Sequence, residues 1–253
     1  MTAAPIRLVQ ITDMHLCATP GDFLHAGIDT DETLSLLLRQ IEASERQPDL
    51  LLATGDLAHD PVAAVYQRLQ SRLAALASPV YTLCGNHDDP LLAARYLCCG
   101  NVSCDGELQL DNWLLIFLDS SQPGRVDGEL SAAELHRLQQ LLLASGERHV
   151  MIFLHHPPVA IGSPWMDEIR LSSSEAFYAL IDRFHQVKAV VFGHIHQQFE
   201  STRGEVSLIG SPATSVQFKP RTDTVELDVL PPGYRRFELF DNGSFSTSVE
   251  WLK

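Results

Sequence analysis

The sequence predicts an α/β fold: two stacked β-sheets with helices packed on their outer faces. Apolar strand-like runs alternate with amphipathic helical patterns through the first two-thirds of the chain. After Gly193 the pattern changes to short strands broken by Gly, Pro and Asn, which reads as a second, mostly antiparallel sheet. Neither a linker nor a repeat interrupts the 253 residues, of which 45% are hydrophobic, so one core-forming domain over residues 1–253 is expected, with the antiparallel part from about 197 to 253.

In chain order, Ile6 to Ile11 reads as a strand, followed by an amphipathic helix from Glu32 to about Arg46 with Asp31 as its N-cap. Leu50 to Ala53 is a short buried strand, Val62 to Ala77 a helix, Pro79 to Cys84 a strand and Leu91 to Cys98 a short helix. Trp113 to Leu118 is again strand-like. Ser131-Ala132-Ala133-Glu134 opens a helix running to about Ala144 as a capping box, and Ser172-Ser173-Ser174-Glu175 repeats the signature. Strands are expected at His149 to Leu154, Lys188 to Phe192, Glu205 to Ile209, Thr224 to Val229, Arg235 to Phe240 and Phe245 to Trp251.

Composition narrows the class. The start of the chain has no charged region followed by an apolar one, and eighteen apolar residues never run together, so neither secretion nor membrane spanning is expected. Five cysteines, with Cys98 and Cys99 adjacent, suit a disulfide framework poorly, and a reducing cytoplasm with buried thiols is the expectation. A thiolate metal site at Cys98, Cys99 and Cys104 is disfavoured because no C-x-x-C pair is present. A formal charge of −14 repels a polyanion, which argues against a nucleic-acid partner. A small anion could still enter a cleft whose field is reversed by bound cations.

Five clusters of metal-competent side chains each fall where an apolar strand stops: Asp13-x-His15, Gly55-Asp56, Gly85-Asn86-His87-Asp88, His155-His156 and Gly193-His194-Ile195-His196. Ligands of α/β sheets bind beyond the carboxyl ends of strands, so five such ends can deliver scattered donors to one crevice. Asp13 and His15, like His194 and His196, are two apart and would face one side of an extended segment. Gly55, Gly85 and Gly193 allow sharp turns just before the donors. Carboxylate, imidazole and amide oxygen without thiolate suit Mn, Fe, Zn, Co or Mg. Seven donors exceed one ion's needs, and two ions sharing a carboxylate are the arrangement that clamps a phosphate ester. His25, His59, His136, His149 and His185 read as structural histidines.

These ordered blocks resemble the signature of calcineurin-like metallophosphoesterases. The resemblance implies a four-layer sandwich of two mixed β-sheets flanked by helices, and a centre of two divalent ions, Fe or Mn before Zn, Co or Mg. It implies Asp13, His15 and His196 on one ion, Asn86, His155 and His194 on the other, and Asp56 bridging. Asn86, His87 and His196 would contact substrate; His87 would act as the general acid, oriented by Asp88 or alternatively Asp89.

Further stretches, including Leu51 to Ala58, Val126 to Ser131, Phe192 to Gln197, Ser215 to Pro220 and Pro231 to Arg235, are similar to the bacterial class III 3′,5′-cyclic AMP phosphodiesterases over nearly the whole chain. That implies hydrolysis of cyclic AMP to 5′-AMP by water made nucleophilic between the ions. His155-His156-Pro157 departs from a run of three histidines in many such relatives, and His25 from a small or apolar residue. His156 is left open between hydrogen bonding behind a ligand, substrate contact and a structural role. Ser211 to Ser215 could be a closing loop or a plain turn, and Lys219 and Arg221 anion contacts or solvated charges. Competing functions are hydrolysis of 2′,3′-cyclic nucleotides or glycerophosphodiesters, and a non-catalytic scaffold. Oligomeric state is not legible.

Overall fold

The computed structural model describes residues 4–24 and 27–253. Its first half runs β1 (Ile6–Ile11), β2 (Phe23–Leu24), β3 (Ile28–Asp29), α1 (Thr30–Glu42), β4 (Leu50–Thr54), α2 (Ala63–Leu73), β5 (Val80–Leu83), α3 (Pro90–Tyr96), β6 (Val102–Ser103), β7 (Glu107–Leu110) and β8 (Trp113–Leu118). Then come α4 (Ala132–Ala144), β9 (His149–Leu154), α5 (Pro164–Asp167), α6 (Ser174–Ile181), β10 (Val187–Phe192), β11 (Phe199–Arg203), β12 (Val206–Gly210), β13 (Gly233–Leu239) and β14 (Phe245–Trp251).

Two six-stranded sheets carry the architecture, ordered β14-β13-β1-β4-β5-β6 and β11-β12-β10-β9-β8-β7. The centres of both are parallel and three of the four edges antiparallel, the β6 edge of the first sheet pairing parallel with β5. The expected mixed, stacked sheets are therefore present, but the region after Gly193 does not build a sheet of its own. β11 and β12 extend the second sheet while β13 and β14 extend the first, β13 pairing antiparallel with β1. Thr224 to Val229 is not a strand. Only Leu227 bridges, to Phe218, and the stretch is largely exposed, so its apolar residues have no sheet face to cover.

Alternate residues of the central strands enter different layers. Leu50 and Leu52 join Leu8, Trp113, Leu115, Phe117, Met151, Phe153, Val191 and Phe237 between the sheets. Leu51 and Ala53 face outward, where Leu34, Leu37 and Ile41 of α1 and Val65, Tyr66 and Leu69 of α2 cover them. On the far side α4 and α6 cover Ile116, Ile152 and Val190 through Leu138, Leu142, Phe177 and Ile181. Burial on both faces is why these strands read as unbroken apolar runs rather than alternating ones. Arg235, fully buried on β13, crosses between sheets to Glu200 at 2.8 Å and the Gly210 carbonyl at 3.0 Å.

Several helix ends differ from expectation. Asp29, not Asp31, caps α1 by accepting from the Asp31 and Glu32 amides, while Asp31 pairs with Arg68 at 2.8 Å and Arg72 at 2.6 Å on α2. Ser131 caps α4 through the Glu134 amide, but Glu134 binds Arg137 and the Asp119 amide instead of closing the box. The Ser172–Glu175 signature is not a cap: Ser172 Oγ donates to the Gly128 carbonyl and Ser173 Oγ accepts from the Leu130 amide, tying down the 128–130 loop.

Cys98 and Cys104 form a disulfide across a Cα separation of 5.6 Å, which corrects the expectation of unpaired thiols. After α3 the chain doubles back within six residues and brings them together. Cys17 is buried, Cys84 half-buried and Cys99 exposed, and the metal-capable groups among the described residues contain no cysteine. Among those residues no helix is long and apolar enough to cross a membrane.

Candidate active site

The carboxyl ends of β1, β4 and β5 in one sheet and of β9 and β10 in the other meet at a single edge of the sandwich. Asp13, His15, Asp56, His155, His194 and His196 are each at most about 5% exposed there. His196 Nε2 lies 3.3 Å from Asp13 Oδ1 and 3.2 Å from His15 Nε2. Asp56 Oδ2 stands between the two sets, 3.5 Å from His15 Nε2 and 3.3 Å from His155 Nε2. Asp13 also accepts the His194 amide at 3.1 Å on each oxygen, joining the sheets.

The pairs at 13/15 and 194/196 are not on extended backbone as expected. Asp13, His15, Asp56, His194 and His196 all have left-handed φ, from 47° to 67°. Such conformations are uncommon away from glycine and cluster at functional sites. The preceding glycines act mainly through space. Gly55 is left-handed (φ 92°), but a Cβ on Gly85 would lie 2.8 Å from His155 Nε2, and one on Gly193 would lie 2.7 Å from Asp13 Oδ2.

Hydrogen bonds behind the site set the tautomers. His155 Nδ1 donates to the Thr54 carbonyl at 3.1 Å, turning its Nε2 toward Asp56, and His196 Nδ1 donates to the Val216 carbonyl at 2.7 Å, which leaves the His196 Nε2 lone pair facing inward. Burial lowers the pKa of His15 to about 3 and drives that of His194 well down, so both imidazoles are neutral donors. Burial also disfavours the His155 cation, but the Asp56 charge outweighs it and lifts the group to about 9. Asp13 and Asp56, despite burial, are held below the usual carboxylate range by His196 and His155 respectively.

A metal centre fits this donor set. His155 Nε2, His194 Nε2 and Asn86 Oδ1 are buried with no hydrogen-bond partner, a costly arrangement unless a cation answers some of them. Asp13, His15 and His196 present ligand atoms within 4.8 Å of one another, and so do Asp13, Asp56 and His155. Carboxylate and imidazole donors in this pattern suit divalent ions.

His87 reaches the pocket through its ring, edge-on to His15 at 4.8 Å, and its amide donates to Asp56 Oδ1 at 2.9 Å. Asp88 does not orient it. The Asp88 carboxylate accepts from the amides of Leu57, Ala58 and Gly85 and from Tyr66 Oη, so it braces the two loops carrying Asp56 and Asn86. Asp89 caps α3 instead. His156 resolves to a bracing role: Nε2 donates to the Val126 carbonyl at 3.1 Å, leaving Nδ1 to accept from Ser120 Oγ at 2.8 Å.

Residues 211–215 are neither lid nor simple turn. Thr214 binds the Thr12 carbonyl and Ser215 Oγ the Asp13 carbonyl at 2.7 Å, strapping the segment under the first donor pair. Lys219 pairs with Glu226 at 3.1 Å, and the Arg221 amide binds Ser163 Oγ.

Sequence reasoning did not assign several residues that line the pocket, among them His59, Trp165 and Phe218. His59, which reads as structural from sequence, is stacked on His87 with centroids 5.3 Å apart and lines the pocket; its place three residues after Asp56 was the available signal. Trp165 and Phe218 also line it, from segments with no recognisable period. His25 lies outside the described residues.

An edge of buried carboxylates and imidazoles beyond parallel strands forms a candidate centre for divalent cations, and comparison gives its family. The calcineurin-like phosphoesterase family matches residues 6–198, and the chain belongs to that family. It is 38% identical over 98% of its length to the 3′,5′-cyclic adenosine monophosphate phosphodiesterase CpdA of Pseudomonas aeruginosa, covering 90% of that protein. It is 39% identical over 97% of its length to a 3′,5′-cyclic-nucleotide phosphodiesterase of Nostoc sp., covering 92% of it. A dimetal phosphatase from Danio rerio shares the fold, with a TM-score of 0.70 over 94% of both chains at 15% identity.

Proposed function

We propose that this chain hydrolyses 3′,5′-cyclic AMP to 5′-AMP at a centre of two divalent cations, Fe or Mn in preference to Zn, Co or Mg. The observation that carries this reading is Asp56 Oδ2 standing between His15 and His155, each within 3.5 Å, where one carboxylate can serve two ions. Asp13, His15 and His196 would hold the first cation and Asn86, His155 and His194 the second. Near full-length similarity to cyclic-nucleotide phosphodiesterases supports the choice of substrate. When bound, the cations supply Lewis-acid polarisation of the phosphate and acidify water.

The chain's own groups do the rest. Asn86 orients a phosphate oxygen through its side-chain N–H. His196, expected from sequence to contact substrate, has its Nδ1 on the Val216 carbonyl and its Nε2 in the donor cluster, so it acts only as a cation ligand. His87, in the same pocket, donates a proton to the departing 3′-oxygen. The hydrogen bond that the His87 amide donates to the Asp56 carboxylate fixes that residue's backbone relative to the shared carboxylate, so proton donor and cation site hold one spacing. The test is a kinetic panel of metal-reconstituted protein on cyclic AMP, cyclic GMP, 2′,3′-cyclic AMP and glycerophosphocholine. Cyclic AMP should show the highest kcat/KM. Preference for glycerophosphocholine or the 2′,3′ isomer would replace the substrate, and inactivity on all four with metal bound would favour a scaffold.

A further inference from the structure

The pocket has a second half that chemistry at phosphorus does not need. Facing the donor cluster are Val126, Trp165, Ile169 and Phe218, all without ionisable groups. Val126 is 52% exposed at the mouth, so folding does not bury it. It is nonetheless fixed, because its carbonyl accepts from His156. Trp165 stands on α5, a turn anchored from several sides. The Asp167 carboxylate accepts from the Ile161 and Gly162 amides at 2.7 and 3.2 Å, Ser163 Oγ accepts from the Arg221 amide, and the indole N–H reaches Thr222 Oγ1 at 3.4 Å.

Aromatic contacts connect this wall to the chemistry. Trp165 meets Phe218 edge-to-face at 5.3 Å, and Phe218 stacks on His196 at 4.3 Å with planes 16° apart. Two ring contacts thus separate Trp165 from a candidate metal ligand, on the scale that separates a base from the phosphate of its own nucleotide. A preorganised, partly exposed aromatic and aliphatic surface at that distance is a stacking platform, which accepts any base through its π-face.

We propose that Trp165, backed by Phe218 and flanked by Val126 and Ile169, is the wall against which the heteroaromatic base of the substrate stacks, making Trp165 a specificity determinant. This rests on the cyclic-nucleotide reading above and names the residue by which that site would tell a nucleotide from a baseless diester.

The experiment compares metal-loaded wild type, Trp165→Ala and Trp165→Phe. It measures kcat/KM for cyclic AMP and for ribose 3′,5′-cyclic phosphate lacking the base, and dissociation constants for AMP and ribose 5-phosphate. Trp165→Ala should lower kcat/KM for cyclic AMP by about tenfold to a hundredfold more than for the baseless diester, chiefly through KM, with a matching loss of AMP over ribose 5-phosphate affinity. Trp165→Phe, which keeps a ring, should recover most of both. Equal losses with and without the base, or unchanged AMP affinity, would overturn the proposal. A wild type that cannot turn over cyclic AMP, yet loses AMP affinity on Trp165→Ala, would sink the hydrolytic reading and leave the wall standing.

Discussion

Gly85→Ala separates the two reasons a site needs glycine. Gly85 is not in the left-handed region, so alanine meets no backbone penalty there. Space is the obstacle: the added methyl would lie 2.8 Å from His155 Nε2 and closer still to the Asp56 amide and carboxylate. Neither neighbour can yield cheaply, since His155 is held by the Thr54 carbonyl and Asp56 by the His87 amide. Overpacking of this kind costs about 1–3 kcal/mol. For a chain of this length that corresponds to roughly 2–12 °C in Tm. The larger effect falls on metal. Disturbing groups that merely support ligands costs about 10–100-fold in affinity, and here two ligand candidates themselves are displaced, so at least that loss is expected. Gly204→Ala is the control. It lies in the β11–β12 turn at φ 58°, where a Cβ meets nothing within 4 Å, so it should cost about 1–2 kcal/mol of left-handed strain and leave metal affinity alone. Chelator competition with elemental analysis, alongside thermal unfolding with and without EDTA, reads both quantities. Wild-type metal affinity in Gly85→Ala would refute the reasoning that the five strand ends converge on a cation site.

His87→Ala should lower kcat by about 10²–10⁴-fold while elemental analysis finds the metal retained, because it removes a proton donor and no cation donor; undiminished turnover would end its assignment as general acid. Metal-free protein should be most stable near neutrality. Burial holds His15 and His156 at about 3 and His194 well below its ordinary value, so below about 6.5 the unfolded chain takes up protons the folded chain refuses, and stability falls as pH falls. His155, raised to about 9, contributes stability that is present below 6.5 and lost as pH rises through 9. Urea midpoints measured from pH 5 to 9 should show a maximum between the two limbs, and a flat profile would contradict these protonation states.

What the sequence made legible follows from how strongly each position is constrained. β4, β8, β9 and β10 are buried on both faces and so appear as uninterrupted apolar runs. β7 and β11, reading Glu-Leu-Gln-Leu and Phe-Glu-Ser-Thr-Arg, are edge strands with exposed polar residues, and nothing in their composition separates them from loops. The donor blocks were visible because each joins metal-competent chemistry to the end of such an apolar run. Trp165, Phe218 and His59 were not, since their loops carry no period and their place in the pocket is set by tertiary contacts. Asp88 shows the opposite error: adjacency to His87 suggested a partnership, but its carboxylate turns away to satisfy three backbone amides.

The conformation of the donor segments bears on how the site is kept ready. Of the seven non-glycine residues with positive φ among the described residues, five are candidate ligands. Each such conformation costs on the order of 1–3 kcal/mol and persists only where its surroundings over-determine it. Here the surroundings are other donor segments. The Asp13 amide donates to the Gly55 carbonyl at 3.0 Å, His15 to Asp56 at 2.9 Å and Leu16 to Leu57 at 3.1 Å, a short ladder between the loops beyond β1 and β4. The strap adds the Thr214 amide on the Thr12 carbonyl and Ser215 Oγ on the Asp13 carbonyl, and the Gly193 amide bonds the His155 carbonyl in the other sheet. Backbone bonds and buried side-chain bonds between the donor segments thus hold the strained residues, so the donors are placed by the fold. That is the arrangement electrostatic catalysis requires, because dipoles already aimed at a transition state need no reorganisation when charge develops.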